Sequence, residues 1–457
     1  MASFDNYLSP GRKGHLIGIG GVSMSSLAEV LQGMGIRVTG SDMSHSDNVR
    51  ALEEKGIRVY IGHSADNLEP DTEFVVRTAA VHDDNPEIVG ARARGIPIFE
   101  RTQAWGSISK EYSNSLCISG THGKTTTTSM CTHIMMAAEK DPTVMIGGTL
   151  PLLNAGHRVG HGSTIIMESC EYYNSFLALY PTVAVILNVE ADHLDFFKDL
   201  EDVKKSFRAF ALRVPKEGGC VVANLDDPST MDVVKDIDRN VLTFGMTSEA
   251  DVWADHIVRK GASTKFDIMY KDRLFTDVTL HVPGMHNVKN ALAAAAASIC
   301  LGVKPNAVKY GLAGFTGAGR RFEFKGKFNG ADVYDDYAHH PGELKALLDT
   351  VETLNYKRTV LVFQPHTYSR TAALFDDFVQ QLRRADVTLL AEIYAARETN
   401  TIGISSADLA KQVEGSMFFP DFRSLENCLH DIARPGDIIL TVGAGNVYRI
   451  GEDLVKE

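Results

Sequence analysis

The segment SLCISGTHGKTTTT, residues 115–128, constrains the fold more than any other part of this 457-residue chain. A short apolar run leads through a glycine-rich loop into a helical pattern, which is typical of a strand, a phosphate loop and a helix in a parallel α/β unit. The standard loop reads G-x-x-x-x-G-K-[ST], but the residue five positions before Gly123 is Ile118. The segment is therefore either a chance Gly-Lys-Thr or a shortened phosphate loop.

In a loop of this kind, backbone N–H groups and a lysine surround a phosphate while a hydroxyl holds Mg²⁺. Lys124 is the predicted phosphate-binding cation, and Thr125 is the predicted metal ligand because it directly follows the lysine. We expect the later threonines of the run to begin the helix. The predicted phosphate-binding residues are Gly120, Thr121, His122, Gly123, Lys124, Thr125 and Thr126.

Short apolar runs alternate with helical patterns along the whole chain, as in HLIGIGG, SMSSLAEVLQGMG and IRVTGSD near the N-terminus. That alternation predicts parallel, doubly wound sheets. The length and an apolar fraction of 44% suit about three domains, each with its own core. We predict an α/β protein with an N-terminal Rossmann-like domain over 1–108, a central P-loop ATPase-type domain over 109–322 and a C-terminal Rossmann-like domain over 323–457.

The charge balance is acidic, with 58 Asp and Glu against 46 Lys and Arg and a net charge of -12. No nucleic-acid partner is expected, because neutralising phosphates requires a basic surface. The longest apolar run, ALAAAAASICLGV, is too short to span a bilayer, and the N-terminus lacks the apolar core of a signal peptide. Six scattered cysteines without a C-x-x-C pair indicate reduced core residues. We therefore expect a cytoplasmic protein without membrane insertion.

A second glycine loop, in HLIGIGGVSMSS, follows the first apolar run. Gly18, Gly20 and Gly21 would expose backbone N–H groups at the positive end of a helix, which suits a pyrophosphate. A dinucleotide fingerprint would have a third glycine where Ser23 stands, although Asp42 lies about where a ribose-binding acid is expected. This loop alone leaves open a nicotinamide-dependent oxidoreductase and a glycine turn needed only for packing.

The order of motifs along the chain resembles that of the Mur ligase family, ATP-dependent enzymes that build the peptide of bacterial cell-wall precursors. The shortened loop GTHGKTTTT is a trait of that family. The other motifs follow in the family's order: ESCEYYNSFL, NVEADHLDFF, VPGMHNVKNALAA, GAGRRFE, DDYAHHPGEL and FQPHTYSRT. The resemblance covers essentially the whole chain, from Gly18 to the closing GAGNVY.

The resemblance implies two Mg²⁺ sites. Glu171 would bind one ion, with Glu168 as the second choice, and His193 would bind the other. From the residues alone, the spacing of the two glutamates could equally place them on a solvated helix start, and His193 could be a capping histidine. Cys170 stands where the family usually has an aspartate, so one carboxylate of the cluster is absent.

Most of the family carries a carbamylated lysine downstream of that histidine. The corresponding position here is Phe207, with Lys204 and Lys205 offset from it. The L-alanine-adding member is the one that lacks this lysine. Within the family, the resemblance is therefore strongest to the L-alanine-adding member.

On the nucleotide side, the resemblance implies that VPGMHNVKNALAA binds adenine. An asparagine is donor and acceptor at once, so Asn287 can pair with the adenine edge, with His286 before it and Asn290 one turn further on. A plain helix cap at Asn287 is the alternative. Arg320 and Arg321 would stabilise charge on the transferred phosphoryl group, unless they are surface arginines in a hinge.

In DDYAHHPGEL, the resemblance implies that Asp336 faces the nucleotide ribose. The residues near the reacting groups would be Tyr337, His339 and His340. A double histidine is typical of the L-alanine-adding member. His339 or His340 would accept the proton of the alanine ammonium, since histidine has a suitable pKa range.

The motif FQPHTYSRT would bind the incoming amino acid. His366 and Arg370 would meet it, because a carboxylate suits a guanidinium fork. The family commonly has a second arginine where Thr367 stands. The residues that would hold the UDP-sugar in the N-terminal domain are Gly20, Gly21, Ser23, Ser41, Asp42, Thr78 and Asn85.

The activity implied is the ATP-dependent addition of L-alanine to the lactyl carboxylate of UDP-N-acetylmuramate through an acyl phosphate. A recycling member that attaches a tripeptide would keep the N-terminal and ATP motifs, so only the C-terminal domain separates the two. A non-enzymatic ATP-binding switch would leave the acceptor motifs without a purpose. The sequence leaves open whether the protein is a monomer or a homodimer.

Overall fold

The computed structural model describes residues 3–78, 80–194, 196–396 and 398–456. Its described strands form three sheets that follow one another along the chain, with five, ten and six strands. Helices cover the sheets, as expected for α/β architecture. The predicted fold class is confirmed.

The N-terminal unit is built on a parallel sheet whose central strand, KGHLI, is buried at every position. Strands that are buried on both faces are typical of parallel sheets. Its elements are, in chain order, a 3-10 segment (Phe4–Tyr7), β1 (Lys13–Ile17), α1 (Val22–Gly33), β2 (Arg37–Asp42), α2 (Asp47–Glu54), β3 (Arg58–Ile61), a 3-10 segment (Ala65–Asn67), β4 (Phe74–Arg77), α3 (Pro86–Ala93), β5 (Ile98–Glu100) and α4 (Arg101–Lys110). The strand order is β3-β2-β1-β4-β5.

The central unit contains the largest sheet. Its elements are, in chain order, β6 (Asn114–Ser119), α5 (Lys124–Ala137), β7 (Thr143–Leu150), β8 (Ala155–Arg158), β9 (Thr164–Glu168), a 3-10 segment (Tyr172–Ala178), β10 (Val183–Ile186), α6 (Leu200–Ala211), β11 (Cys220–Asn224), α7 (Pro228–Val234), β12 (Val241–Gly245), β13 (Val252–Lys260), β14 (Ser263–Tyr270), β15 (Arg273–Leu280), α8 (Met285–Cys300) and α9 (Pro305–Ala313). The strand order is β15-β14-β13-β12-β11-β10-β6-β9-β7-β8. β10 and β9 flank β6 in parallel, so the loops after these three strands meet at one edge.

The alanine-rich helix α8 packs closely at the sheet edge where the loops after β6, β9 and β10 meet. Its run of alanines is buried and shares an apolar cluster with Met130 and Ile134 of α5. Small side chains let the two helices and the sheet approach closely, because interiors are packed to high density. The start of α8 therefore lies next to the start of α5.

The C-terminal unit is parallel except for its first strand, which pairs antiparallel with the second. Its elements are, in chain order, β16 (Glu323–Phe328), β17 (Ala331–Asp336), α10 (Pro341–Val351), β18 (Arg358–Phe363), α11 (Tyr368–Ala373), α12 (Phe375–Leu382), β19 (Val387–Ala391), α13 (Ser406–Gln412), β20 (Met417–Phe419), α14 (Phe422–Ile432), β21 (Asp437–Val442) and α15 (Tyr448–Leu454). The strand order is β16-β17-β21-β18-β19-β20. The loops after β17 and β18 face the central unit.

The domain boundaries near residues 108 and 322 stay predictions. The cysteine expectation needs a correction, since Cys170 is exposed while Cys117, Cys131 and Cys220 are buried. Cys170 follows a strand end, where the chain turns out of the sheet. Among the described helices, none has the length and apolar character needed to cross a membrane.

Candidate active site

The phosphate loop joins β6 to α5, and its glycines have backbone conformations that other residues avoid. Gly120 has φ +143° and Gly123 has φ +83°. A Cβ at position 120 would lie 2.8 Å from Leu187 Cβ, and one at position 123 would lie 2.6 Å from Asn290 Oδ1. Helix α5 begins at Lys124 without a side-chain cap, which leaves its first N–H groups for an anion.

Lys124 reaches back over this loop. Its Nζ donates to the carbonyl oxygens of Gly120 at 2.5 Å and Thr121 at 3.0 Å, and it pairs with Glu171 Oε2 at 3.0 Å. Burial by itself lowers the pKa of Lys124, but the Glu171 carboxylate holds that pKa above its usual value. The amine is therefore a fixed cation beside the loop.

Oxygen-bearing side chains surround Lys124. Thr125 Oγ1 donates to Glu168 Oε1 at 3.0 Å. Glu171 Oε1 lies 3.9 Å from His193 Nε2. Hydroxyl and carboxylate oxygens are the ligands that Mg²⁺ prefers, so this donor set suits the ion. The structure brings together the three predicted metal ligands, Thr125, Glu171 and His193.

The two glutamates do not share a helix. Glu168 is the last residue of β9, and Glu171 immediately precedes a 3-10 segment. The Glu171 side chain is only 3% exposed, so the alternative of a solvated helix start is wrong. His193 has φ +53°, and its ring stacks on Tyr172 with the centroids 4.3 Å apart.

A core residue occupies the position where most of the family has a carbamylated lysine. Phe207 is fully buried and packs edge-on against Phe176, with the centroids 5.2 Å apart. Lys204 instead pairs with Asp232 Oδ2 at 2.9 Å on the outside of α6. Neither residue reaches the oxygen cluster.

A cavity of about 230 Å³ lies between the phosphate loop, the start of α8 and the C-terminal unit. Its polar lining includes His122, Gly123, Thr126, His286, Asn287, Asn290, Arg321 and Asp336, and its apolar lining includes Leu187, Phe244, Val282 and Phe315. This mixture of flat apolar walls and a few polar groups suits a nucleotide base with its sugar. The predicted adenine and ribose residues thus share one cleft with the loop.

The polar residues of this cleft are internally bonded. Asn287 Nδ2 donates to the Pro283 carbonyl at 2.7 Å, and Asn290 Nδ2 donates to Asn287 Oδ1 at 3.3 Å. Burial lowers the pKa of His286 to about 4. Gly284, not Asn287, precedes the first residue of α8, so the alternative of a plain cap at Asn287 is wrong.

The two neighbouring arginines face different sides of the junction. Arg321 lines the cleft, and its Nη2 lies 3.4 Å from Thr125 Oγ1. Arg320 is held by the C-terminal unit, since Nε donates to Asp335 Oδ2 at 2.9 Å and Nη2 donates to the Gly443 carbonyl at 2.5 Å. The alternative of two free surface arginines is wrong, and Arg321 is the one beside the phosphate loop.

The double-histidine loop leads from β17 into α10. His339 N donates to Glu343 Oε2 at 2.9 Å, and His340 caps α10 through its side chain. Burial lowers the pKa of His339 to about 4 and also lowers that of His340. Tyr337 lies under the Arg321 guanidinium, 5.0 Å from ring centroid to carbon. Neutral His339 is able to accept a proton at Nε2, because its Nδ1 faces the Tyr337 carbonyl at 3.0 Å, whereas His340 Nδ1 already accepts from Gly342 N.

The predicted amino-acid residues lie beside this loop. The His366 ring centroid is 5.8 Å from that of His339, and burial lowers the pKa of His366 to about 4. Arg370 Nη1 lies 3.4 Å from His366 Nδ1. Thr367 has φ +67° and ψ +145°, a region that costs about 1–3 kcal/mol for a residue with a side chain.

The N-terminal glycine loop opens on a second cavity of about 390 Å³. Gly21, Ser23 and Thr78 line it together with Glu168 and Cys170 of the central unit. A side-chain carboxylate also orders the loop, since Gly20 N donates to Asp42 Oδ2 at 2.9 Å. The second cavity therefore connects this loop with the oxygen cluster around Lys124.

Two of the predicted substrate residues serve the fold. Ser41 is fully buried and its Oγ donates to Glu87 Oε2 at 2.7 Å. Asn85 caps α3 by accepting from Glu87 N at 2.9 Å. Among the residues that the structure describes along the second cavity, neither of them occurs.

Sequence reasoning missed four residues at the site: Asn188, Glu190, Asp192 and Glu343. Asn188 Oδ1 accepts from His122 N at 2.8 Å, and Glu190 N donates to Thr121 Oγ1 at 2.9 Å. Three of the four follow β10 inside the NVEADH segment, and the fourth follows the double histidine. Their closeness to the recognised motifs is the signal that could have identified them.

A shortened phosphate loop, an oxygen cluster and two cavities on either side of it define a three-unit P-loop enzyme that acts on a nucleotide and a second substrate. Family profiles match each unit: "Mur ligase family, catalytic domain" over residues 13–113, "Mur ligase middle domain" over 118–298, and "Mur ligase, glutamate ligase domain" over 320–445. The chain belongs to the Mur ligase family. The predicted family and the predicted enzyme class, an ATP-dependent C–N bond-forming ligase, are confirmed.

Individual relatives align along nearly the whole length. UDP-N-acetylmuramate–L-alanine ligase of Agathobacter rectalis is 46% identical over 448 residues, covering 97% of each chain. The crystal structure of UDP-N-acetylmuramate-alanine ligase from Thermotoga maritima is 28% identical with a TM-score of 0.80, covering 97% of this chain and 98% of that one. A murein peptide ligase structure from Psychrobacter arcticus, 24% identical with a TM-score of 0.72 and 98% coverage of both chains, shares the fold.

Proposed function

We propose that this protein joins L-alanine to the lactyl carboxylate of UDP-N-acetylmuramate and converts ATP to ADP and phosphate. The full-length similarity to relatives named for that reaction supports the proposal. One observation of the site carries it: the phosphate loop separates two cavities. Thr126 lines the nucleotide cleft, while Glu168, bonded to Thr125, lines the cavity shared with the N-terminal glycine loop. The reaction requires the ADP part of ATP on one side of the transferred phosphoryl group and the sugar carboxylate on the other.

A carboxylate is a poor electrophile and must be activated before an amine can attack it. In the proposed route, a lactyl carboxylate oxygen attacks the γ-phosphorus of ATP, the bond to the β,γ-bridging oxygen breaks, and ADP leaves an acyl phosphate behind. The amine of L-alanine then attacks the acyl carbon, and phosphate departs from the tetrahedral intermediate. No residue has to form a covalent bond with substrate, so the protein contributes positioning and charge.

The residues around the phosphate loop suit both ATP and Mg²⁺. Lys124 and Arg321 present positive charge to the transferred phosphoryl group, and the free N–H groups of α5 add to it. Thr125, Glu171 and His193 would hold two Mg²⁺ ions, with Glu168 as a further carboxylate. When bound, Mg²⁺ supplies charge neutralisation for the phosphates. The Glu171 carboxylate and the carbonyl oxygens of Gly120 and Thr121 hold the Lys124 amine next to the loop.

The acceptor side has a neutral base and a carboxylate-binding group. His339 is neutral near pH 7 because burial lowers its pKa to about 4. Its Nδ1 faces the Tyr337 carbonyl, so Nε2 is the atom that would take the proton of the alanine ammonium, whereas His340 uses Nδ1 to cap α10. Arg370 would bind the alanine carboxylate with its guanidinium fork, beside His366. The proposal implies a cytoplasmic enzyme acting on small molecules, as a monomer or a homodimer.

Phosphate release from ATP tests the proposal directly. The purified 457-residue chain is assayed with Mg²⁺ and UDP-N-acetylmuramate, adding one acceptor at a time. We expect release that requires the UDP-sugar and is fastest with L-alanine. Release that does not depend on the UDP-sugar would refute the assignment.

The same assay distinguishes the recycling activity. A preference for the cell-wall tripeptide over L-alanine would assign the chain to that reaction, as in murein peptide ligases of the same fold. A preference for glycine or L-serine would change only the acceptor site in the C-terminal unit.

A further inference from the structure

His122 of the phosphate loop lies between two carboxylates from different units. Its Nδ1 is 3.2 Å from Glu343 Oε1 on α10, and its Nε2 is 3.3 Å from Glu190 Oε2 after β10. Ionised carboxylates only accept hydrogen bonds, so both ring nitrogens donate and the ring is an imidazolium. Burial by itself lowers the pKa of His122, but the two carboxylates raise it to about 10. The His340 ring faces it as well, with the centroids 4.9 Å apart.

Glu343 uses both of its oxygens. While Oε1 faces His122, Oε2 accepts from His339 N at 2.9 Å and lies 3.3 Å from His339 Nδ1. Its side chain is 14% exposed. Burial raises its pKa, yet His339 and His122 hold that pKa well below the usual value. One ionised side chain therefore connects the phosphate loop of the central unit with the double-histidine loop of the C-terminal unit.

The two loops depend on this connection to different degrees. The phosphate loop has its own supports, because Asn188 Oδ1 accepts from His122 N at 2.8 Å and Asn188 Nδ2 donates to the His122 carbonyl at 3.2 Å. The backbone N–H of His339 is bonded to Glu343 itself. Loss of the carboxylate would therefore disturb the acceptor side more than the phosphate side.

We propose that Glu343 is a positioning residue that joins the two loops through His122, and that this junction is needed for capture of the acceptor amine and not for transfer of the phosphoryl group. The inference rests on the proposed function. Glu343 also lines the edge of the nucleotide cleft. Its effect passes through the placement of His339 and His340 relative to the phosphate loop.

The isosteric variant Glu343→Gln tests the proposal. An amide accepts at one end and donates at the other, so it cannot accept from both His122 and His339. We expect turnover with L-alanine to fall about tenfold or more, which matches the loss of one hydrogen bond to a charged group.

The first half-reaction is followed separately, with ATP carrying ¹⁸O in the β,γ-bridge, UDP-N-acetylmuramate and no L-alanine. Reversible phosphoryl transfer frees the bridging oxygen to rotate into a non-bridging position on the β-phosphate. We expect this scrambling to remain within about threefold of wild type, a change of well under 1 kcal/mol. Equal losses in scrambling and turnover, or unchanged turnover, would overturn the proposal. A wild-type chain with neither signal would instead refute the proposed function.

A double-mutant cycle tests whether Glu343 acts through His122. His122→Gln and Glu343→Gln remove the same contact. The double variant should therefore lose less turnover than the product of the two single losses predicts. Independent effects would contradict the proposal. The matched control is Glu352→Gln at the far end of α10, where the carboxylate pairs with Arg384 Nη2 at 2.8 Å on the surface. We expect this control to behave as wild type.

The same cluster has the spacing of a metal site, so metal content is measured as well. Ligand atoms of His122, Glu190 and His340 lie within 4.8 Å of one another. Full activity of protein purified free of zinc and other transition metals supports the positioning role. A stoichiometric transition metal that is lost in Glu190→Gln, together with the activity, would reassign the cluster to metal binding.

Discussion

Arg370 Nη2 of the C-terminal unit lies 3.0 Å from Asp192 Oδ1 of the central unit, and both side chains are nearly buried. Burial raises the pKa of Asp192, but Arg370 and His193 hold that pKa well below its usual value. The guanidinium predicted to bind the amino-acid carboxylate is therefore already paired with an ionised protein carboxylate. An incoming carboxylate has to share the fork with Asp192 or displace it.

Arg370→Lys should raise the KM for L-alanine by about 10- to 100-fold, the cost of a lost hydrogen bond to a charged group. Lysine keeps the charge but lacks the planar fork that can serve two carboxylates. Initial-rate kinetics with each substrate varied in turn measures the effect. The KM for ATP should stay unchanged, and an equal rise for all three substrates would contradict the role. Arg383→Lys, at the exposed end of α12, is the matched control.

Lys124→Ala should lower turnover by about 1000-fold or more, since it removes a fixed charge from the phosphoryl-transfer site. Binding of UDP-N-acetylmuramate should be nearly intact, because the predicted UDP-sugar residues lie in the N-terminal unit. Isothermal titration with the UDP-sugar and phosphate-release assays provide the two measurements. Loss of both UDP-sugar binding and phosphate release would mean that the two sites are not separate. Lys345→Ala, an exposed lysine paired with Asp349, should have no effect.

Glu171→Gln should raise the Mg²⁺ concentration needed for half-maximal turnover by about tenfold or more, because a neutral amide is a weaker ligand for a hard cation. Turnover is measured across a Mg²⁺ titration. A fall in maximal turnover without a shift in Mg²⁺ dependence would show that Glu171 acts only through Lys124. The surface variant Glu201→Gln, which loses a pair with Lys204, serves as the control.

His133→Gln should flatten the acid side of the stability profile. Burial lowers the pKa of His133 to about 4, while the unfolded residue titrates near 6.5. Between these values the unfolded chain binds a proton that the folded protein does not, so the free energy of unfolding falls as the pH falls. At pH 5 this proton uptake lowers the free energy of unfolding by about 2 kcal/mol, and the variant should not show this loss. Urea unfolding of both proteins at pH 7 and pH 5 measures it, and identical pH dependences would contradict the prediction.

The local features of the site could be predicted from sequence because each depends on a few consecutive residues. The strand, the two glycines with positive φ and the start of α5 at Lys124 all fall within residues 114–128. The role of Ser41 could not be read in this way. A polar residue at a strand end can face a ligand or an internal partner, and here Glu87 is that partner.

Contacts between units were beyond sequence reasoning for a physical reason. His122 and Glu343 are 221 residues apart, and Arg370 and Asp192 are 178 apart. No periodicity or spacing rule relates such pairs, because their approach depends on how the units dock. The order of motifs that defines the family runs along one chain, whereas the ion pairs that join the units form only where the units meet in space.

The anchoring of Arg320 marks where the chain passes from the central unit to the C-terminal unit. Gly319 N donates to the Thr149 carbonyl of the central unit at 2.8 Å, whereas Tyr337 N of the C-terminal unit donates to the Arg320 carbonyl at 2.8 Å. Consecutive residues are thus bonded to different units, and Arg321 directly follows the residue that the C-terminal unit holds. Arg321 Nη2 lies 3.4 Å from Thr125 Oγ1. The positive charge of Arg321 is therefore placed at the phosphate loop by the contact between the central and C-terminal units.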